Sequence, residues 1–377
     1  MKILMLNYEF PPIGGGGGQA HRNILLQYAK VNDLEVDVLT CGMSGVLEKE
    51  KFADNINIYR VGIRKENLHH WKKFEVVSWL MRAKKYYYKL INENNYDLIH
   101  SFFAFPSGFL CYKKNKGVPY IISLRGSDVP GTNVRLGLEY ILLSSLFKKI
   151  WNNAAVIVAN SSGQAELASK FVPEFAIPVI PNGIDLERFI PSQFNVIGKQ
   201  VRLLTVSRLT PGKRIDILIR AVKICNDNGI DAVLNIAGHG HLMEQLRQFS
   251  VDLNVADKVN FLGRVESVAI PELYRENNIF IMSSAHEGMS NAMLEAMASG
   301  LPIVTTDCEG VQELIADNGI VSPDDSSEEF VSCIEELVNN KNLFDDMKVQ
   351  AREQAEKFKW ETTAGKYLEI YKNIVAK

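Results

Sequence analysis

Long apolar runs are missing from this chain. No stretch reaches the roughly 18 uninterrupted apolar residues needed to span a bilayer. The opening run Met1–Tyr8 is cut by Glu9, too early for a signal peptide. Cysteine is scarce: five residues, at 41, 111, 225, 308 and 333, with no CxxC and no adjoining His pattern. This spacing argues against a disulfide frame or a zinc site and predicts reduced thiols in core positions of a cytoplasmic protein. The phosphate-loop pattern GxxxxGK[ST] is absent. The second strand ends Leu39-Thr40-Cys41, without the acidic ribose hook of a nicotinamide dehydrogenase. A net charge of −2 and no recognised nucleic-acid motif disfavour nucleic acid as a partner.

What is present reads as a two-domain α/β protein. The 377 residues exceed the roughly 250–300 that one core serves, and 46% hydrophobic with 23% charged residues excludes disorder. Residues 1–180 hold 22 Lys and Arg against 15 Asp and Glu, whereas the rest holds 20 against 29, which suggests two domains with different partners. Apolar runs without strict alternation mark strands buried on both faces. They fall at 2–7, 35–40, 57–61, 97–100, 120–124, 155–159, 201–206, 233–237, 259–262, 279–282, 303–306 and 319–321. Helical patterns between them imply two doubly wound domains. Lys116-Gly117-Val118-Pro119 and Ser299-Gly300-Leu301-Pro302 each place a helix-closing Gly before a strand. The turn-rich segment Pro181–Asp185 marks the boundary: residues 1–183 with 360–377 form one domain and 184–359 the other. Phe358, Trp360, Tyr367 and Tyr371 are expected to anchor a last helix on the first domain.

Three segments carry the chemistry. The run Gly14–Gly18 between the first strand and a helix lets backbone amides approach an anionic ligand, or serves as a tight turn. Ser207–Arg214 puts Arg208 and Lys213 at the carboxyl end of a parallel strand, where open α/β sheets bind ligands; they read as phosphate-binding cations or as solvated charge. In His286–Gly300, Ser290 is an N-cap, Glu287 precedes the helix and Glu295 lies inside it, on a face about 80° round. The amides of Met289, Ser290 and Asn291 are expected to point to the same opening. The two carboxylates suit hydroxyls on either side of a diphosphate, or act as a helix-dipole partner and a surface residue.

Together and in this order, these segments, with Pro181–Asp185 and Val259–Val265, resemble the retaining glycosyltransferases of family GT4. The resemblance runs nearly end to end and implies the GT-B fold: two Rossmann-like domains facing a cleft, with a C-terminal helix crossing back. It implies an acceptor-binding first domain and a donor-binding second one. Arg208 and Lys213 match the basic pair on the donor diphosphate, in place of a metal; the lack of an Asp-x-Asp motif agrees, and no cofactor is implied. Glu287 matches the residue on the donor sugar hydroxyls and Glu295 the ribose carboxylate. Arg264 and Val265 line the base pocket, Gly238 is a close-approach glycine, and Gly15 and Gly16 cover the diphosphate. The implied reaction moves a hexose from a UDP-sugar, more than a GDP-sugar, to a sugar or lipid-linked acceptor with retention. The rival readings are a sugar phosphorylase, an epimerase and a silent nucleotide-sugar binding module.

One departure stands out. Where many members carry His-Gly, this chain reads Leu124-Arg125-Gly126-Ser127-Asp128. Arg125 cannot act as a general base and instead suits a phosphate or a carboxylate. His100 and Asp128 are expected either to contact substrate or to be structural. Basic and aromatic residues interleave over Arg64–Lys89, which fits docking to anionic lipid at the inner membrane face or a solvated helix.

Overall fold

The computed structural model describes residues 1–65, 67–68, 71–112, 115–130, 142–193 and 195–376. The chain divides into two compact units, Met1–Gly183 with Trp360–Lys377, and Ile184–Lys359. In the first unit the strands are β1 (Lys2–Asn7), β2 (Glu35–Gly42), β3 (Leu47–Ala53), β4 (Ile56–Gly62), β5 (Leu98–Phe102), β6 (Tyr120–Ser123) and β7 (Val156–Val158). They form one sheet in the order β3-β4-β2-β1-β5-β6-β7. β1 pairs in parallel with β2 on one side and β5 on the other, so Ile3 lies between Val36 and Leu98. β1, β2 and β5 are buried almost throughout, which explains their unbroken apolar sequences.

β3 is the exception and was not anticipated. It pairs antiparallel with β4 at the sheet edge, and its central Glu48-Lys49-Glu50 is exposed. Charges of this kind on an edge strand discourage pairing with other chains.

The second unit holds β8 (Gln200–Val206), β9 (Asp231–Ala237), β10 (Val259–Gly263), β11 (Ile279–Met282), β12 (Ile303–Thr305) and β13 (Gly319–Val321). Its all-parallel sheet runs β10-β9-β8-β11-β12-β13. Two apolar clusters flank it: one includes Leu218, Val222, Ile334 and Phe344, the other Tyr274, Met293, Met297 and Phe280. Gly300 closes the helix Asn291–Ala298 with φ +69°. Gly117 also has a positive φ, +82°, but stands in a turn well after the helix Ser107–Cys111 rather than at its end.

The last helix, Trp360–Val375, buries Trp360, Tyr367 and Tyr371 in the core of the first unit. Phe358, expected to join them, packs in the second unit instead. The second unit's first and last residues are adjacent: Ile184 N–H donates to Phe358 O at 2.8 Å, and Ile184 bridges Lys359. All five cysteines are free and buried. Among the described residues no helix is long and apolar enough to cross a membrane.

Candidate functional site

In an open α/β sheet, ligands bind beyond the carboxyl ends of strands where the winding reverses. In the second unit that point lies between β8 and β11, which pair directly. The loops leaving these strands are sewn together by hydrogen bonds to main-chain carbonyls. Ala285 N–H donates to Gly212 O at 2.9 Å, and Arg214 Nε donates to Ser283 O at 2.8 Å. Ser283 Oγ lies 2.9 Å from both Lys213 O and Arg214 O. Pro211 opens the short 3-10 turn Pro211–Lys213, and Arg214 takes φ +46° after it.

This stitching brings Lys213 and Glu287 together, 74 residues apart in sequence. Lys213 Nζ forms an ion pair with Glu287 Oε2 and donates to Ser284 Oγ at 3.3 Å. Both side chains are largely shielded, with 16% and 24% exposure. Glu309, on the loop after β12, holds this segment from behind. Its Oε2 accepts the Glu287 N–H at 3.0 Å, while Oε1 lies 2.7 Å from His286 Nδ1. Thr306 Oγ1 donates to Ser284 O at 2.8 Å. A Cβ on Gly310 would lie 1.9 Å from Gly288 O, so only glycine lets the loops pass this closely.

Ser290 caps the helix Asn291–Ala298 as expected, its Oγ accepting Met293 N–H at 3.3 Å. Met289 and Ser290 are buried, and Asn291 is the first residue of the helix. Glu295 is partly buried rather than a surface residue. Its Oε2 accepts from Tyr274 OH at 2.9 Å. Burial pushes its carboxyl up to about 7, against the lowering effects of the Tyr274 bond and the Arg188 charge.

Arg208 is exposed on the loop after β8. Gly238, at φ +142°, packs against that loop: a Cβ there would fall 1.8 Å from Ser207 O. Its close approach is therefore to a neighbouring backbone, and the glycine shapes the loop that carries Arg208. Arg264 is exposed and Val265 partly buried just after β10.

Within the glycine run of the first unit the steric demand falls at Gly14, Gly17 and Gly18. A Cβ on these would meet the Glu9 side chain, Phe103 and Glu9 O at 2.6, 2.8 and 2.9 Å. Gly15 has open space, and its N–H donates to Glu9 Oε2 at 3.3 Å; Gly16 begins the helix Gly16–Tyr28.

Three residues considered as acceptor or sugar contacts, His100, Asp128 and Arg125, all have partners within this unit. His100 is completely buried, with Nδ1 2.5 Å from Tyr371 OH and Nε2 2.7 Å from Ser123 Oγ. Burial holds it neutral, its pKa well below the usual imidazole value. Asp128 is buried with both oxygens committed to backbone N–H groups, of Ala104 and Arg125, each at 2.8 Å. Burial raises its carboxyl to about 6. Neither side chain is open to solvent. Arg125 is half-buried over the Phe102 ring and donates to Asn182 Oδ1 at 2.9 Å and Tyr367 OH at 3.3 Å.

Sequence reading passed over Ser284, Glu309 and Tyr274. Glu309 carried a usable signal, because it follows a parallel strand as Lys213 and Glu287 do. Tyr274 carried none.

Comparison with known proteins settles the family. Residues 14–188 match the model Glycosyltransferase Family 4, and residues 187–354 match Glycosyl transferases group 1. The chain belongs to glycosyltransferase family 4. The family 4 chain is 25% identical, over 91% of its length and 89% of the relative's, to an Escherichia coli UDP-Gal:alpha-D-GlcNAc-diphosphoundecaprenol alpha-1,3-galactosyltransferase. It is 27% identical to a Mycobacterium tuberculosis GDP-mannose-dependent alpha-(1-6)-phosphatidylinositol monomannoside mannosyltransferase, over 59% of this chain and 63% of that one. Among solved structures it resembles sucrose-phosphate synthase from Thermosynechococcus elongatus, with a TM-score of 0.83, 19% identity, and 100% and 99% of the two chains covered. The shared fold is GT-B, and the chain is a glycosyltransferase.

Proposed function

We propose that this glycosyltransferase moves a hexose from a nucleoside-diphosphate sugar to an acceptor hydroxyl with retention, in glycan or glycolipid synthesis. UDP is favoured over GDP, although the relatives cited above are named for one of each. The observation that carries the reading is the Lys213–Glu287 pair at the winding reversal of the second sheet. It puts a cation for phosphate and a carboxylate for sugar hydroxyls side by side. Arg208 and Lys213 would hold the diphosphate and Glu287 the sugar, with the main chain of Met289, Ser290 and Asn291 beside it. Glu295 would take the ribose, and Arg264 and Val265 the base. Gly238 shapes the loop beneath Arg208.

In the reaction the bond between the anomeric carbon and the phosphate oxygen breaks, its electron pair leaving with the diphosphate. The acceptor oxygen bonds to the same carbon from the same face, and its proton passes to the departing phosphate. Negative charge grows on the leaving group, where Arg208 and Lys213 stabilise it without a metal. The first unit is the proposed home of the acceptor, a sugar or a lipid-linked glycan. Because His100 and Asp128 are consumed structurally, neither is assigned an acceptor contact.

The test is a panel of UDP- and GDP-sugars scored for nucleotide release, with and without a chelator, using Glu287→Ala and Lys213→Ala as controls. Release from one donor class, unaffected by chelator and lost in both variants, supports the assignment. Release at the parent rate in both variants overturns it. The anomeric configuration of the product, read by NMR coupling, checks retention.

A further inference from the structure

In the first unit the helix Lys73–Glu93 sorts its residues sharply. Trp79, Ala83, Tyr87, Leu90 and Ile91 face the core, and the aromatic partners Trp71, Tyr86 and Tyr88 pack partly against it. The aromatic residues that made this segment conspicuous in sequence are thus mostly core residues. A different set faces outward: Phe74, Val77 and Met81, with 66%, 54% and 74% exposure. Their spacing of three and four residues puts them on one face, opposite Trp79, Ala83 and Tyr87.

Cations flank this stripe. Lys72, Lys73, Lys84, Lys85 and Lys89 are exposed, and Lys72 Nζ lies over the Phe74 ring at 5.7 Å. The helix's one acid before Glu93 is Glu75, which turns inward to a buried ion pair with Lys65 at 2.9 Å. The outward face therefore carries apolar groups together with the basic Lys84, Lys85 and Lys89. The turn after β2 extends the surface. Arg82 Nη1 donates to Gly45 O at 3.1 Å and to Gly62 O at 2.8 Å, tying that turn to the helix, and Met43 and Val46 stand exposed in it.

We infer that this face, Phe74, Val77 and Met81 ringed by lysines, docks on an anionic lipid surface, with the helix lying in the interfacial plane. Apolar side chains enter the headgroup boundary while lysines meet lipid phosphates, the combination that marks helices lying on membranes. The inference rests on the proposed reaction in one respect: a lipid-borne acceptor would then be met where it resides.

The test is co-sedimentation of the full chain with vesicles of pure phosphatidylcholine and of phosphatidylcholine with about 30% phosphatidylglycerol, whose negative surface attracts basic residues. The expected result is binding to the anionic vesicles alone, weakened at least about tenfold at high salt as charge attraction is screened. Phe74→Ser with Met81→Ser should abolish binding, and Lys84→Glu with Lys85→Glu should do the same. Both should leave thermal unfolding and nucleotide release in vesicle-free solution at the parent level. Equal binding to neutral vesicles, no binding at all, or binding unchanged in both variants overturns the inference. So does self-association of the parent that the Phe74→Ser, Met81→Ser variant relieves. Vesicle binding is read without turnover, so a protein that binds vesicles but releases no nucleotide refutes the reaction and leaves the surface standing.

Discussion

Replacing Lys213 by Ala removes an ammonium with three hydrogens to donate. One goes to Glu287 and one to Ser284 Oγ, leaving the third for a phosphate oxygen without breaking the ion pair. A hydrogen bond to a charged group is worth about 1.5–3 kcal/mol. Loss of that bond should weaken nucleoside diphosphate binding about 10- to 100-fold. The loss does not stop there. Glu287 keeps its charge and, with 24% exposure, is poorly screened, so it would face the incoming diphosphate without its counter-ion. Removing that charge in the same background should recover part of the affinity. The expected order of affinity is therefore parent, then the double variant Lys213→Ala, Glu287→Gln, then Lys213→Ala alone. Catalysis should not recover, because Gln cannot replace the carboxylate on the sugar and the cation on the leaving group is still missing, itself worth about 10²–10³ in kcat. Calorimetric titration with UDP and GDP at low ionic strength measures the first quantity, and nucleotide release measures the second. Lys213→Ala binding both nucleotides within twofold of the parent would refute the reasoning.

Glu295 gives a pH signature. Its folded-state value of about 7 lies above the ordinary 4.5, so the folded protein holds a proton that the unfolded chain has released. Stability should fall as pH rises from 4.5 to 7, by at most about 3 kcal/mol, and Glu295→Gln should flatten that part of a melting-temperature profile while weakening nucleotide binding. Glu309→Ala frees the main chain at Glu287 and should lower kcat/KM about 10- to 100-fold through misplacement alone; Glu309→Gln, which still accepts the Glu287 N–H, should restore most of it. Asp128→Ala strands two buried N–H groups at about 1–3 kcal/mol each, visible as an earlier unfolding transition of the first unit with nucleotide binding by the second unchanged.

The strands were legible because their burial is symmetrical. β1, β8 and β11 lie between two parallel neighbours, so both faces must be apolar and the run shows. β3 did not show, because an exposed edge strand has no such requirement and its Glu48-Lys49-Glu50 reads as loop. Lys213 and Glu287 were legible through the rule that parallel strands deliver function at their carboxyl ends. Their ion pair was not, since it depends on how the loops after β8 and β11 are laced by Gly212, Ser283 and Ala285. His100 looked open because it sits in a parallel strand, but what covers it comes from Tyr367 and Tyr371, more than 260 residues later. Gly15 shows the opposite limit: in a run of five glycines, sequence cannot say which ones sterics demand.

The pairing of Ile184 with Phe358 and Lys359 makes the second unit an insert whose two ends sit side by side. A ribosome must deliver the whole of that insert before the helix Trp360–Val375 can reach His100 and Tyr28. The first body to be started is thus the last to be finished, and it waits with its aromatic seam open. The same neighbouring ends mean that residues 184–359 can be lifted out and the gap bridged by a short turn, leaving each half to be expressed and weighed by itself.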